Sequence, residues 1–136
     1  MRAFPLILLL LAPVMTAADT KWAPFLGTWR GVCADGSDFV LVTLTPAADG
    51  GLAGTVRLAN MRGGDDGSCA AIVDPPSDKH ALPVSDARIS GSTLTFRAAR
   101  RMEFALGIES AGRASLRFIG TASEENPWRL VRKNGN

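Results

Sequence analysis

The sequence predicts a single all-β domain, an up-and-down antiparallel barrel of about eight strands. Three observations carry that expectation. Apolar and polar residues alternate with a period of two in Leu52–Leu58, Thr93–Arg97, Glu103–Glu109 and Ser115–Phe118, the pattern of half-buried antiparallel strands. Turn-forming clusters separate these runs at Ala48-Asp49-Gly50-Gly51, Ser90-Gly91-Ser92-Thr93 and Ala111-Gly112-Arg113. No stretch of useful length carries helical spacing. Consecutive strands with short links favour a meander, and closing it into a barrel removes the exposed edges.

Taken in order, Met1-Arg2 is a short basic start and Phe4–Val14 is an apolar run with four consecutive leucines. Thr16-Ala17-Ala18 supplies small residues before polar Asp19. Residues 1–18 therefore read as a signal peptide cut after Ala18, too short in its apolar run to be a membrane span. Asp19 rather than a cysteine follows the cut, so no lipid anchor is expected, and residues 19–136 form the single domain. Strands are expected near 26–33, 38–46, 52–59, 80–84, 86–90, 93–98, 102–110, 114–122 and 127–133. The pair flanking Pro83 also reads as one bent strand, because proline removes a ladder donor. Residues 60–79, with Gly63-Gly64-Asp65-Asp66-Gly67-Ser68 and Asp74-Pro75-Pro76-Ser77-Asp78, read as a long loop. For Phe96 and Phe104 both to face the core, their connection must contain an odd number of residues. A loop of Ala99, Arg100 and Arg101 then places Phe96 opposite Phe104 and Arg97 opposite Glu103 as an ion pair.

The domain carries 14 basic and 13 acidic side chains, a balance that excludes a strongly basic nucleic-acid or membrane-surface footprint. Its two cysteines, Cys33 and Cys69, are expected to be bonded in an oxidising, secreted or periplasmic compartment. Closing that loop stabilises a chain by about 4 kcal/mol on the chain-entropy model.

Catalytic and metal chemistry finds little support. His80 is the only histidine, without the convergent partners a zinc site or nucleophile pair needs. Ser37, Ser68 and Ser115 lie outside any Gly-x-Ser-x-Gly elbow. Asp65-Asp66-Gly67-Ser68 lacks the spaced ligands and terminal Glu of a calcium loop. Glu124 and Glu125 are adjacent and so diverge, unlike a glycosidase pair. Arg97, Arg100, Arg101, Arg113 and Arg117 form a basic surface that Glu103 and Glu109 are expected to neutralise. No enzyme activity, cofactor or metal is expected.

Phe25-Leu26-Gly27-Thr28-Trp29-Arg30-Gly31 opens the domain and Pro127-Trp128-Arg129-Leu130-Val131-Arg132 closes it. Here the chain resembles the calycin superfamily, and most of all small secreted bacterial lipocalin-like domains, with Trp-x-Gly at the start and Leu-x-Arg at the end. Residues 26–56 also resemble the start of an avidin. The absence of tyrosine, and tryptophans only at Trp22, Trp29 and Trp128, argue against biotin binding. The resemblance implies a barrel end closed by Gly27 and Trp29, with Arg132 or Arg129 stacked on the indole. It further implies either of two activities. One is binding of a small apolar ligand in the mouth. The other is a protein-binding module, such as an inhibitor of a secreted protease, acting through the loops of a filled barrel. The expected inward residues are Val42, Leu44, Leu52, Val56, Leu58, Leu94, Phe96, Phe104, Leu106, Ile108, Leu116 and Phe118, none ionisable, with Gly54 and Gly120 leaving space. An acidic ligand would then need Arg62 or Arg100 turned in from the rim.

Overall fold

The computed structural model describes residues 21–63 and 69–133. Ten strands follow one another: β1 Gly27–Val32, β2 Asp38–Pro46, β3 Leu52–Leu58, β4 Asn60–Gly63, β5 Cys69–Asp74, β6 Leu82–Ser90, β7 Thr93–Ala98, β8 Met102–Ser110, β9 Arg113–Phe118 and β10 Trp128–Lys133. Eight close an antiparallel barrel in the order β1-β10-β9-β8-β7-β6-β3-β2, while β4 and β5 form a separate hairpin. This is an all-β architecture consistent with a calycin-like fold. The 1–18 leader expected from the sequence lies outside the described residues.

Alternation along each strand explains the core. Val42, Leu44, Val56, Leu94, Phe96, Phe104, Leu106, Leu116 and Leu130 are all at most 1% exposed and converge on the barrel axis. Of the expected inward residues, Leu52, Leu58, Ile108 and Phe118 are half-buried and pack against this cluster. The β7–β8 register sets Phe96 opposite Phe104 and Ala98 opposite Met102, leaving Ala99, Arg100 and Arg101 as the connection. Ala99 and Arg100 accept positive φ of 50° and 63° to make that short turn.

One end, here called the lower, is sealed by the residues before β1. A 3-10 turn, Ala23–Phe25, folds Trp22 and Phe25 under the barrel, and both are buried. Trp22 Nε1 donates to Gly50 O at 3.1 Å, tying the plug to the β2–β3 turn. Above it, Trp29 is fully buried and its Nε1 donates to Phe25 O at 3.0 Å. The Arg132 guanidinium lies 4.2 Å from the Trp29 ring centroid. Its nitrogens donate to Leu26 O, to Pro24 O at 3.0 Å and to Ala111 O at 3.4 Å. One arginine on the last strand thus stacks on the first strand and orders the segment entering it. Arg129 is exposed instead. Alternation accounts for the difference, since Leu130 and Arg132 share the inward face and Arg129 lies opposite. Gly27 has φ of 110°, and a Cβ there would stand 2.9 Å from Arg132 Nη1.

Of the two readings of the segments flanking Pro83 the single bent strand holds, and two other expectations are revised. The segments 80–84 and 86–90 are one strand, β6, bent by a bulge between Ser85 and Arg88 at which Asp86 adopts φ of 53°. Pro83 sits where β3 and β6 pair only through Thr55–Pro83 and Val56–Leu82, so its missing N–H interrupts an already short ladder. The loop at 60–79 contains the β4–β5 hairpin and a 3-10 turn, Asp78–His80. The strand expected to reach residue 122 ends at Phe118, where Ser123 Oγ accepts from Phe118 N at 3.0 Å and a 3-10 turn, Ala122–Glu124, begins.

Replacing Trp29 with Ala should cost about 3–5 kcal/mol of unfolding free energy in a denaturant titration. Arg132→Lys keeps the charge but loses the planar fork that serves several carbonyls and the ring. It should cost about 2 kcal/mol in the same assay, well beyond the effect of Arg129→Lys.

Candidate functional site

The opposite, upper end is where the core loosens. Five aromatic side chains form a belt beneath it: Phe96 and Phe104 stack at 5.6 Å, Phe104 and Phe118 lie 4.6 Å apart, and Phe118 meets Trp128 at 6.4 Å. Trp128 then meets Phe39 edge-on at 5.3 Å. Phe39 enters the core because the β1–β2 register shifts between Gly31 and Val32. A Cβ at Gly31 would fall 2.7 Å from Val40 Cγ1 and 2.8 Å from the Phe39 ring, so glycine here makes room for both. The belt runs along the inner wall from β7 through β8, β9 and β10 to β2, over a core of fully buried aliphatic side chains of the kind that can fill an eight-stranded barrel.

Neither glycine expected to leave space does so. Gly54 has φ of 155° and packs against the β2 backbone at Thr43 O, so its missing Cβ is a close approach between strands. Gly120 lies beyond β9 in an exposed loop, its N–H donating to Glu124 Oε2 at 3.1 Å.

Above the belt, the barrel wall opens between β3 and β6. Their pairing stops at Val56–Leu82, and the chain ahead of β6 turns away through Asp78–His80. The gap is a groove of about 560 Å³ lined by Leu58, Ala59, Asn60, Asp74, Pro75, Ser77 and His80. Leu58, Ala59 and Pro75 supply an apolar floor. Asn60, Asp74, Ser77 and His80 supply donors and acceptors around it. Two ties shape the groove. Arg57 Nη2 meets Asp78 Oδ1 at 2.7 Å and anchors the 3-10 turn to β3, although Arg57 Nε is buried without a partner. The Cys33–Cys69 disulfide, with Cα atoms 5.2 Å apart, ties the start of β5 to the end of β1. Asn60 pairs with Asp74 at the base of the hairpin, so the groove's two walls are the two ends of that hairpin.

The other candidate residues scatter. Asp35 Oδ1 accepts from Ser37 N at 2.9 Å, and the Ser37 backbone and side-chain hydrogen bonds hold the Asp35 carboxyl below the usual carboxylate range. Ser115 lies in mid-strand opposite Gly107. Ser68 and the Asp65–Asp66 pair lie outside the described residues, as does the side chain of Arg62. Arg100 is exposed at its turn. Glu124 supports the loop after β9: its carboxylate accepts from Gly120 N and its carbonyl from Arg117 Nε at 3.1 Å. Arg97 stands opposite Glu103 in register, yet the ion pairs among the described residues are Arg30–Asp38 and Arg57–Asp78. The expected neutralisation of the arginine surface by Glu103 and Glu109 is therefore not made by contact; both carboxylates and the five arginines remain exposed.

Among the described residues, no three His, Cys, Asp or Glu side chains gather as metal ligands. No helix among them is long and apolar enough to cross a membrane. The groove itself was not legible in the sequence. It depends on a hairpin that breaks alternation and on a strand pairing that stops after two residues.

No protein-family model matches this chain, and no curated protein or solved structure matches it.

Replacing both Cys33 and Cys69 with Ala should lower unfolding free energy by about 4 kcal/mol. The same double variant should speed hydrogen exchange of the β4–β5 amides more than that of β7–β8, measured by mass spectrometry of peptic fragments.

Proposed function

We propose that this protein is a non-catalytic, lipocalin-like binder of a small molecule, held in the groove at the upper rim instead of on the barrel axis. One observation carries the reading. Among the described residues the groove has the volume of a small-molecule site, on the order of 300–1,000 Å³, whereas the hollows at Asp86–Glu103 and at Glu109–Val131 hold only about 160 and 150 Å³. The buried core supports a rim location, since Phe104 of the aromatic belt and Leu116 are both fully buried. The disulfide supports work in an oxidising, secreted or periplasmic compartment, as does the reading of residues 1–18 as a signal peptide.

A second reading is a protein-binding module, such as a protease inhibitor, presenting the β4–β5 hairpin. It draws on the disulfide that stiffens the hairpin and on Val73, 53% exposed on β5. Stiffening a presented segment reduces the ordering cost of binding.

Titration with the neutral apolar dye Nile red separates the two readings. The groove reading expects saturable binding by the disulfide-intact protein, and loss of that binding in both Ala59→Trp and Ser77→Trp with unchanged unfolding midpoints. Absence of saturable binding, or binding indifferent to both tryptophans, would transfer the function to the hairpin.

A further inference from the structure

We infer that the groove selects an amphipathic cation: a protonated amine carried on a short hydrocarbon body. This deepens the groove reading and rests on it. The two carboxylates near the groove differ in state. Asp78 is neutralised by Arg57 at 2.7 Å, whereas Asp74 has no lysine, arginine or histidine nitrogen within 4.0 Å among the described residues. Among the described residues Asp74 Oδ2 meets a 3.5 Å approach from the Asn60 amide, and the exposed carboxylate keeps acceptor capacity toward solvent.

The lining has the same sign: among the described residues it includes the Asp74 carboxylate and neither lysine nor arginine, which favours a positive group over a carboxylate there. Lys79, the one lysine beside the groove, is exposed and does not line it. Leu58, Ala59 and Pro75 offer the hydrocarbon part a floor, while Ser77 and His80 can accept hydrogen bonds from an ammonium. The expectation of a small apolar ligand therefore gives way at the rim, where the lining includes the Asp74 carboxylate.

The test is displacement of Nile red by three probes of equal chain length: octylamine, octanol and octanoate. The inference expects octylamine to bind about fivefold tighter than octanol at low salt, with octanoate weakest, as one partly exposed charge pair allows. Asp74→Asn should bring the ratio of octylamine to octanol affinity to about one, with the unfolding midpoint in place. Raising salt from about 0.02 to 0.5 M should shrink the amine preference, since the Debye length falls from about 20 Å to about 4 Å and exposed charge pairs are screened. Equal binding of all three probes, tighter octanoate, or an amine preference that survives Asp74→Asn would overturn the inference and leave the groove reading standing. Failure of every probe and of Nile red itself would remove both.

Discussion

The structure depends on the contact between the first and last barrel strands at Trp29 and Arg132. A meander of antiparallel strands becomes a barrel only when its two outer edges meet, and here β1 and β10 pair through Thr28–Lys133, Trp29–Arg132 and Arg30–Val131. Three residue pairs make a short seam. What strengthens it is the arginine that crosses the indole and donates to carbonyls on both the entering segment and the β8–β9 turn. Because the ring is fully buried, the stack is desolvated on the indole side, and cation–π attraction counts for more there than at a free surface. The same arginine holds the Ala23–Phe25 turn that plugs the lower end. Closure, plug and core are therefore one cooperative unit.

A closed lower end and a filled middle leave chemistry to the upper rim. The aromatic belt from Phe96 round to Phe39 links five strands through ring contacts, so the barrel contributes rigidity there. Openness is concentrated where regular pairing fails: the β3–β6 seam stops after two residue pairs, and the chain spends residues 60–80 on a hairpin and a turn before rejoining the wall. The disulfide and the Arg57–Asp78 pair hold that excursion from opposite sides. A groove built this way is shaped by long-range ties, and its geometry responds to them more than to the strand residues beneath it.

How far the sequence speaks follows from this division. Period-two alternation depends on neighbours in the chain, so Leu94–Phe96 and Phe104–Leu106 could be read inward, and parity alone set the β7–β8 register. Arg132 could have been preferred to Arg129 by the same parity with Leu130. Phe39 was hidden, because it faces inward only through a bulge that depends on Gly31 in another strand. The β4–β5 hairpin was hidden as well: Asn60–Gly63 is short and polar, and Cys69–Asp74 carries no alternation. Gly54 and Gly120 misled because a missing side chain reads as space, whereas one is a backbone contact and the other a loop position. Asp74 reads as loop composition in the sequence, since only the fold sets it beside Leu58 and His80.

Native-state hydrogen exchange, resolved at single amides across a denaturant series, tests the claim that closure and core are one unit. The account predicts that the β1–β10 amides, Thr28–Arg30 and Val131–Lys133, exchange only through global unfolding, with the same free energy and denaturant slope as Phe104 and Leu106. Exchange at the seam by a local opening several kcal/mol below the global value, with β7 and β8 still protected, would contradict it.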